Sequence, residues 1–187
     1  MDNEDVTPSI PSRKSRINGA MKKDSARSVR DSITEMVQIV LPNDTNTFGN
    51  VLGGRVMHWI DLVGAVSANR HCRMPIVTAS MERLDFLSPI RLGDIVVLKA
   101  KLNYVGTSSM EVGVDVFAEN PLSGERKQTS SAVLTYVALD IHGNPAPVPG
   151  LVVKTMEERR LFRQGEKRKK MRLERSRHYK NQHDRTA

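Results

Sequence analysis

The 187-residue chain contains a single cysteine, Cys72, so an intramolecular disulfide framework is excluded. A lone cysteine is typical of a reducing compartment, and we therefore predict a cytoplasmic protein. The chain also lacks an apolar run of the roughly 18 residues that a membrane span requires. Its first 30 residues contain no apolar stretch of the kind found in a secretory signal. We therefore expect neither membrane insertion nor secretion.

Positive charge is concentrated at the two ends of the chain. Residues 1–30 and 154–187 carry net charges of +3 and +8, whereas residues 31–153 carry −3. We interpret residues 1–30, which are polar, as a disordered tail, and residues 154–187 as a basic, solvated helix or tail. The length suits one domain, which we place at residues 31–153. The basic segment has no nucleic-acid-binding signature, so we expect no nucleic-acid partner.

Period-two alternation of apolar and polar residues dominates the middle of the chain. Residues 108–119 show it most clearly, and short turns rich in Gly, Pro, Asn and Ser separate the alternating segments. Alternation interrupted by short turns predicts antiparallel hairpins. The predicted strands are residues 32–41, 76–88, 94–105, 108–119 and 127–140.

A long helix is predicted between the first and second strands, over residues 53–71. It is apolar on nearly every side, which is typical of a buried helix. One sheet face cannot cover such a helix, so either the sheet curls around it or a second copy of the chain packs against it. The predicted fold class is α+β, with a long helix wrapped by a curved antiparallel sheet of five to six strands and paired into a dimer.

Asp61 is the most informative residue of this helix. It has no Lys or Arg within one helical turn on either side. Burying an unpaired carboxylate costs several kcal/mol, so such a group usually serves a chemical purpose. The alternative is a structural carboxylate that accepts hydrogen bonds from nearby backbone or side-chain donors.

Three further residues stand at suggestive positions before Asp61. Gly53 and Gly54 open the helix, where unobstructed N–H groups favour an anion or a developing oxyanion. Attack on a thioester carbonyl develops such a charge, and Asp61 could act as base or nucleophile while Asn46 orients water or the carbonyl. Gly53 lies about 12 Å from Asp61 along the helix. We therefore hypothesise that the site forms between two subunits. No metal or redox cofactor is needed for this chemistry.

Four segments together resemble the acyl-CoA thioesterase family of the hotdog superfamily. They are LPNDTNTFGNVLGGRVMHWID, VTASMERLDFLSPIRLGD, YVGTSSMEV and LTYVALD, within about residues 33–150. The most specific part is the Asn-x6-Gly-Gly-x6-Asp block. The resemblance implies hydrolysis of fatty acyl-CoA to free acid and CoA, and dimers that assemble further as trimers of dimers. It also implies that Asp61 is the catalytic carboxylate, that Asn46 comes from the opposing subunit, and that a Gly53 or Gly54 amide polarises the carbonyl.

The segment formed by Gly106, Thr107, Ser108 and Ser109 resembles the family's loop near the CoA nucleotide. Small residues with free N–H and hydroxyl groups suit phosphate contacts. Many family members carry a basic residue where Thr107 stands, and a cation from a neighbouring subunit could replace it. The segment could also be an ordinary hairpin turn.

Two other functions are compatible with the predicted fold. A non-catalytic acyl-CoA-binding module would use the basic C-terminal segment to regulate a partner, but it has no use for a hydrolytic carboxylate. A hotdog hydratase that acts on enoyl-CoA would resemble its relatives in an Asp/His pair before or early in the helix. No such pair stands here.

Overall fold

The computed structural model describes residues 26–183. The elements are β1 (Arg27–Ser28), β2 (Thr34–Ile39), α1 (Gly53–Cys72), β3 (Ile76–Phe86), β4 (Ile95–Val105), β5 (Ser109–Glu119), β6 (Arg126–Ala138), β7 (Leu151–Val152) and α2 (Met156–His183). The centre of the fold is a five-stranded antiparallel sheet in the order β2-β4-β5-β6-β3. A separate parallel pair joins β1 to β7. The predicted α+β fold with a long central helix on a five-stranded antiparallel sheet is confirmed.

Helix α1 packs across one face of this sheet, mainly on β4 and β5. Ile60 and Val63 on its inner side are at most 1% exposed and join the core formed by the inward-facing strand residues. The helix ends where Arg73 adopts a left-handed conformation with φ of 56°, just before Pro75. A residue before proline disfavours the helical region, which explains why the helix stops here.

The side of α1 that faces away from the sheet carries exposed apolar residues in the single chain. Leu62 and Val66, four positions apart and therefore on one side of the helix, are 44% and 45% exposed, and Met57, on another side, is 41% exposed. The sheet therefore covers only one side of the helix that the sequence predicts to be apolar nearly all round. Exposed apolar side chains that share one side of a helix are typical of a surface that another protein molecule covers.

The contact between α1 and β6 depends on Gly64. The Tyr136 side chain is fully buried, and its ring lies where a side chain at residue 64 would otherwise stand. A Cβ atom at Gly64 would clash with the Tyr136 hydroxyl and would lie 3.1 Å from the ring Cζ. The glycine thus lets the phenol reach the helix backbone.

Helix α2 lies on the other face of the sheet, which differs from the solvated helix that the sequence predicts. Phe162 contacts Tyr104 of β4 with ring centroids 4.9 Å apart. Arg168 donates two hydrogen bonds of 2.6 and 2.9 Å to Glu111 of β5, whose side chain is 3% exposed. Arg172 lies 2.7 Å from Glu82 of β3, whose side chain is 7% exposed. Sequence periodicity did not predict this docking, because arginine side chains and not an apolar stripe form most of the contacts between α2 and the sheet.

The folded region begins earlier than the predicted boundary at residue 31. Arg27 and Ser28 pair with Leu151 and Val152, and a short 3₁₀ turn over Val29–Ser32 follows. Residues 1–25 of the predicted disordered tail lie outside the described residues. Neither helix in the described part of the chain combines the length and the apolar character needed to cross a bilayer.

We expect Gly64→Ala to lower the free energy of unfolding by about 1–3 kcal/mol, because its Cβ displaces Tyr136 from a tightly packed site. Urea denaturation measures this loss. Gly54→Ala is the matched control, since a Cβ atom there would meet nothing within 4 Å. Alanine also has the higher helix propensity, so this control should keep or raise stability. Equal stabilities of the two variants would contradict the packing role of Gly64.

We expect Arg168→Ala to lower the free energy of unfolding by about 3 kcal/mol, because it leaves the Glu111 carboxylate buried without its cation. The variant should also release α2 from the sheet, which limited trypsin digestion detects as faster cleavage within this Lys- and Arg-rich helix. Arg163→Ala, on the exposed side of α2, is the control. A loss no greater than that of the control would show that the ion pair does not hold the helix.

Candidate active site

The Asp61 carboxylate is half-buried at the edge of the exposed apolar face of α1. The Thr78 hydroxyl donates to its Oδ1 over 2.8 Å, and the Tyr136 hydroxyl lies 3.3 Å from the same oxygen. The Tyr136 hydroxyl is also 3.0 Å from the Asp61 main-chain carbonyl oxygen, so its single proton is shared between the two acceptors. The carboxylate therefore receives one short hydrogen bond from Thr78 and a longer, shared one from Tyr136.

The register of the sheet brings these two donors together. Thr78 of β3 stands directly opposite Tyr136 of β6, and residues opposite each other in an antiparallel pair share a sheet face. A bulge between Thr78 and Ser80 interrupts the ladder at this point. Bulges often re-aim side chains next to functional sites. The sheet thus presents both hydroxyl groups to the one carboxylate of α1.

Tyr136 is suited to act as a permanent hydrogen-bond donor. Burial raises the pKa of its phenol far above the ordinary value, and the charge of the Asp61 carboxylate adds to this effect. Because the ionised phenol is disfavoured on both counts, the hydroxyl stays protonated throughout the physiological pH range. Its proton is therefore available to Asp61 under all such conditions.

The N-terminus of α1 offers unoccupied backbone donors. Leu52 precedes the helix and provides no side-chain cap. The backbone N–H groups of Arg55 and Val56 both donate to the Leu52 carbonyl oxygen. The N–H groups of Gly53 and Gly54 have no backbone acceptor among the described residues. Gly53 also lines an open cleft of about 450 Å³, whose other walls include Val56, Phe86 and Ile90. A mainly apolar cleft therefore adjoins the positive end of the helix dipole.

Asn46 lies in the loop before α1 and is exposed. Its side-chain Oδ1 accepts hydrogen bonds from the backbone N–H groups of Phe48 over 2.9 Å and Asn50 over 3.2 Å. These contacts fix the side chain in a tight turn and leave its NH₂ group to serve as a donor. No hydrogen bond between Asn46 and Asp61 is found within the described chain.

The four residues predicted for the active site are not assembled within one subunit. Asp61 meets Thr78 and Tyr136, whereas Gly53 stands eight positions earlier on the same helix, about 12 Å along its axis. The sequence reasoning missed Thr78 and Tyr136. Thr78 lies inside the segment VTASMERLDF that carries the family resemblance, but only the strand register links it to Asp61.

The predicted nucleotide loop joins β4 to β5 as a tight hairpin. The Gly106 N–H donates to the Ser109 carbonyl oxygen over 2.7 Å, and the carbonyl oxygens of Thr107 and Ser108 accept from Val148 and Ala138. The hairpin therefore has a fixed shape. Residues 26–183 contain no cluster of three or more His, Cys, Asp or Glu side chains arranged to hold a metal ion.

Comparison with known proteins places this architecture among thioesterases. Residues 48–125 match the Thioesterase superfamily. A Bacillus subtilis protein named uncharacterized acyl-CoA thioester hydrolase YkhA is 42% identical over 158 residues, which cover 84% of this chain and 92% of that protein. An apo-hexameric acyl-CoA thioesterase of known structure is 39% identical with a TM-score of 0.78, and the match covers 82% of this chain and 98% of the other.

An acyl-CoA hydrolase from Staphylococcus aureus gives a more detailed comparison. Its complex with butyryl coenzyme A, coenzyme A and coenzyme A disulfide has a TM-score of 0.77 at 34% identity, covering 84% of this chain and 96% of the other. Its structure is also known with alanine in place of one aspartate, one asparagine or one threonine. In that enzyme the asparagine precedes the aspartate by 15 positions and the threonine follows it by 17.

The same two intervals separate Asn46, Asp61 and Thr78 in this chain, so its site has the spacing of the residues replaced in the Staphylococcus aureus enzyme. Sequence identity, fold and this spacing lead to one conclusion: the chain belongs to the acyl-CoA thioester hydrolases of the thioesterase superfamily.

Proposed function

We propose that the protein hydrolyses fatty acyl-CoA thioesters to free fatty acid and CoA, with Asp61 as the catalytic carboxylate. The observation that carries this proposal is the pair of hydrogen bonds from Thr78 and Tyr136 to Asp61. Asp61 is the one acidic residue of α1, so it is the one carboxylate that this helix can supply to the reaction. The relatives and solved structures that bear acyl-CoA hydrolase names support the choice of substrate.

Asp61 acts on water or on the thioester carbonyl carbon, as a general base or as a nucleophile. Both roles require an ionised carboxylate whose orientation is fixed. Thr78 supplies that orientation through its 2.8 Å hydrogen bond, and the Tyr136 hydroxyl adds a contact whose single proton it shares with the Asp61 main-chain carbonyl oxygen. The spacing shared with three residues replaced in the Staphylococcus aureus enzyme supports a common role for Asn46, Asp61 and Thr78.

The free N–H groups of Gly53 and Gly54 stabilise the oxyanion that develops on the thioester carbonyl oxygen. Such preorganised donors are worth most where water is excluded. The adjoining open cleft of about 450 Å³, lined mainly by apolar residues that include Val56, Phe86 and Ile90, provides an apolar surface for an acyl chain. Water, a carboxylate and a helix terminus suffice for this reaction, so we expect no metal or redox cofactor.

The active site is completed by a second subunit. Gly53 and Asp61 are too far apart on one helix to reach the same carbonyl carbon, whereas two helices packed about a two-fold axis place one Gly53 near the other Asp61. The side of α1 that carries the exposed Leu62 and Val66 is the surface through which we expect this packing. Asn46 then comes from the subunit opposite Asp61. The hexameric relative supports further assembly into a trimer of dimers.

The hairpin Gly106–Ser109 is proposed to contact the phosphate groups of CoA. Its hydroxyl groups and the N–H groups of Thr107 and Ser108, which have no acceptor among the described residues, provide the donors. A cytoplasmic location is also proposed, in agreement with Cys72, which is buried and forms no disulfide.

We expect Asp61→Asn to lower turnover of acyl-CoA by about 10²–10⁴-fold, because the amide can neither accept a proton nor attack a carbonyl. Release of free thiol from a series of short to long acyl-CoAs measures this loss and the chain-length preference together. Thr78→Val, which keeps the carboxylate but removes one orienting donor, should lose only about tenfold. The loss is assigned to the chemical step when the variant keeps its fold and its affinity for CoA. Near-wild-type turnover by Asp61→Asn would refute the mechanism.

We expect a mixture of two inactive variants, Asp61→Asn and Asn46→Ala, to regain activity when their subunits are combined. Each mixed dimer has one site that receives Asp61 from one chain and Asn46 from the other, both unaltered. Random pairing in equal amounts should restore about a quarter of wild-type turnover. The two variants are co-expressed with different tags, and mass spectrometry verifies that mixed assemblies form. Mixed assemblies without activity would show that Asn46 and Asp61 serve the same site from one chain.

A further inference from the structure

The Gly106–Ser109 hairpin contains no charged side chain, although its proposed ligand carries several negative charges. Its backbone N–H groups and hydroxyls can bind phosphate oxygens, but such neutral donors give weaker contacts than a cation does. The hairpin is partly exposed, with Thr107 the most exposed of its residues. A phosphate bound here therefore needs a positive charge from another element of the fold.

Lys169 of α2 lies directly at this hairpin. A Cβ atom at Gly106 would clash with the Lys169 ammonium and would lie 3.2 Å from its Cε. The glycine thus leaves the space that the lysine side chain occupies. The ammonium also stands 5.7 Å from the centroid of the Tyr104 ring, at the end of β4, where a cation–π contact holds it beside the loop.

The position of Lys169 is fixed by the contacts of α2 on both sides of it in sequence. Phe162 and Arg168 contact Tyr104 and Glu111, and Arg172 follows with its contact to Glu82. These contacts pin the helix across the sheet, so Lys169 is carried by a docked helix and not by a mobile tail. Its side chain is partly buried.

Lys169 forms no salt bridge with a carboxylate within the described residues. Glu111 and Glu82, the buried carboxylates under α2, are paired with Arg168, Arg172 and Arg175. Glu166 is exposed to solvent and forms no salt bridge with Lys169 within the described residues. The arginines therefore neutralise the sheet, while the lysine ammonium remains available to an anion at the hairpin.

We propose that Lys169 binds a phosphate group of CoA at the Gly106–Ser109 hairpin, in place of a basic residue within the loop. The inference rests on the proposed hydrolysis of acyl-CoA and adds the C-terminal helix to the substrate site. A flexible ammonium suits a phosphate as a point charge, and the hydroxyls and N–H groups of the hairpin supply the directed contacts. The basic C-terminal segment thereby gains a role in recognition of the nucleotide part of the substrate.

We expect Lys169→Gln to raise the KM for acyl-CoA about tenfold at low ionic strength, with kcat unchanged, because the lost contact is remote from the thioester. The KM of the corresponding acyl-pantetheine thioester, which carries no phosphate, should not change. Added salt should reduce the difference in KM for acyl-CoA between wild type and variant, since it screens the charge of the ammonium group. Lys169→Arg should recover most of the affinity.

Lys170→Gln is the matched control, since it removes the same charge from the exposed side of α2. The proposal is overturned if Lys169→Gln and Lys170→Gln have the same KM for acyl-CoA. It is also overturned if Lys169→Gln raises the KM for acyl-CoA and for the acyl-pantetheine thioester by the same factor, which would indicate a structural defect. Failure of the wild type to hydrolyse any acyl-CoA would instead refute the proposed function. Calorimetric titration of CoA and pantetheine into wild type and Lys169→Gln then tests phosphate binding without turnover.

Discussion

The burial of one side of α1 against the antiparallel sheet is the constraint on which the site depends. Ile60 and Val63 are sealed in the core, which fixes the rotation of the helix about its axis. Since residues on a helix lie about 100° apart, that rotation places Asp61 at the rim of the contact and Leu62 and Val66 on the exposed side. The carboxylate is consequently close enough to β3 and β6 to accept hydrogen bonds from their hydroxyls, and it remains partly exposed.

The two faces of the sheet are covered by different kinds of interaction. Apolar side chains and the close approach of Tyr136 to Gly64 join α1 to one face. Ion pairs between arginines of α2 and the buried Glu111 and Glu82 dominate the other. Buried ion pairs are sensitive to geometry and to loss of either partner, so they favour one position of the helix. A helix held in one position can present a particular side chain, Lys169, to a neighbouring loop.

The strands and α1 could be predicted, and Asp61 could be singled out as a candidate, because each has a local signal. Alternation identifies β4 and β5, and a carboxylate among apolar residues identifies Asp61. Thr78 and Tyr136 have no comparable signal, since threonine and tyrosine are ordinary strand residues. Their meeting at Asp61 depends on the register of β3 against β6 and on the bulge after Thr78, which nothing local in the sequence specifies. The docking of α2 on the sheet could not be predicted for the same reason, because the partners of its arginines lie on strands distant in the chain.

By itself, the sequence determined the α+β class and the order of the elements, and it singled out Asp61, Asn46, Gly53 and Gly54 as candidates for a site. Those properties follow from periodicity, from turn residues and from the spacing of a few side chains along the chain. Only the tertiary structure decided which donors hold Asp61, which side of α1 remains exposed and where the basic helix lies. Each of these depends on contacts between segments far apart in sequence, and such contacts are set by packing, register and the pairing of buried charges.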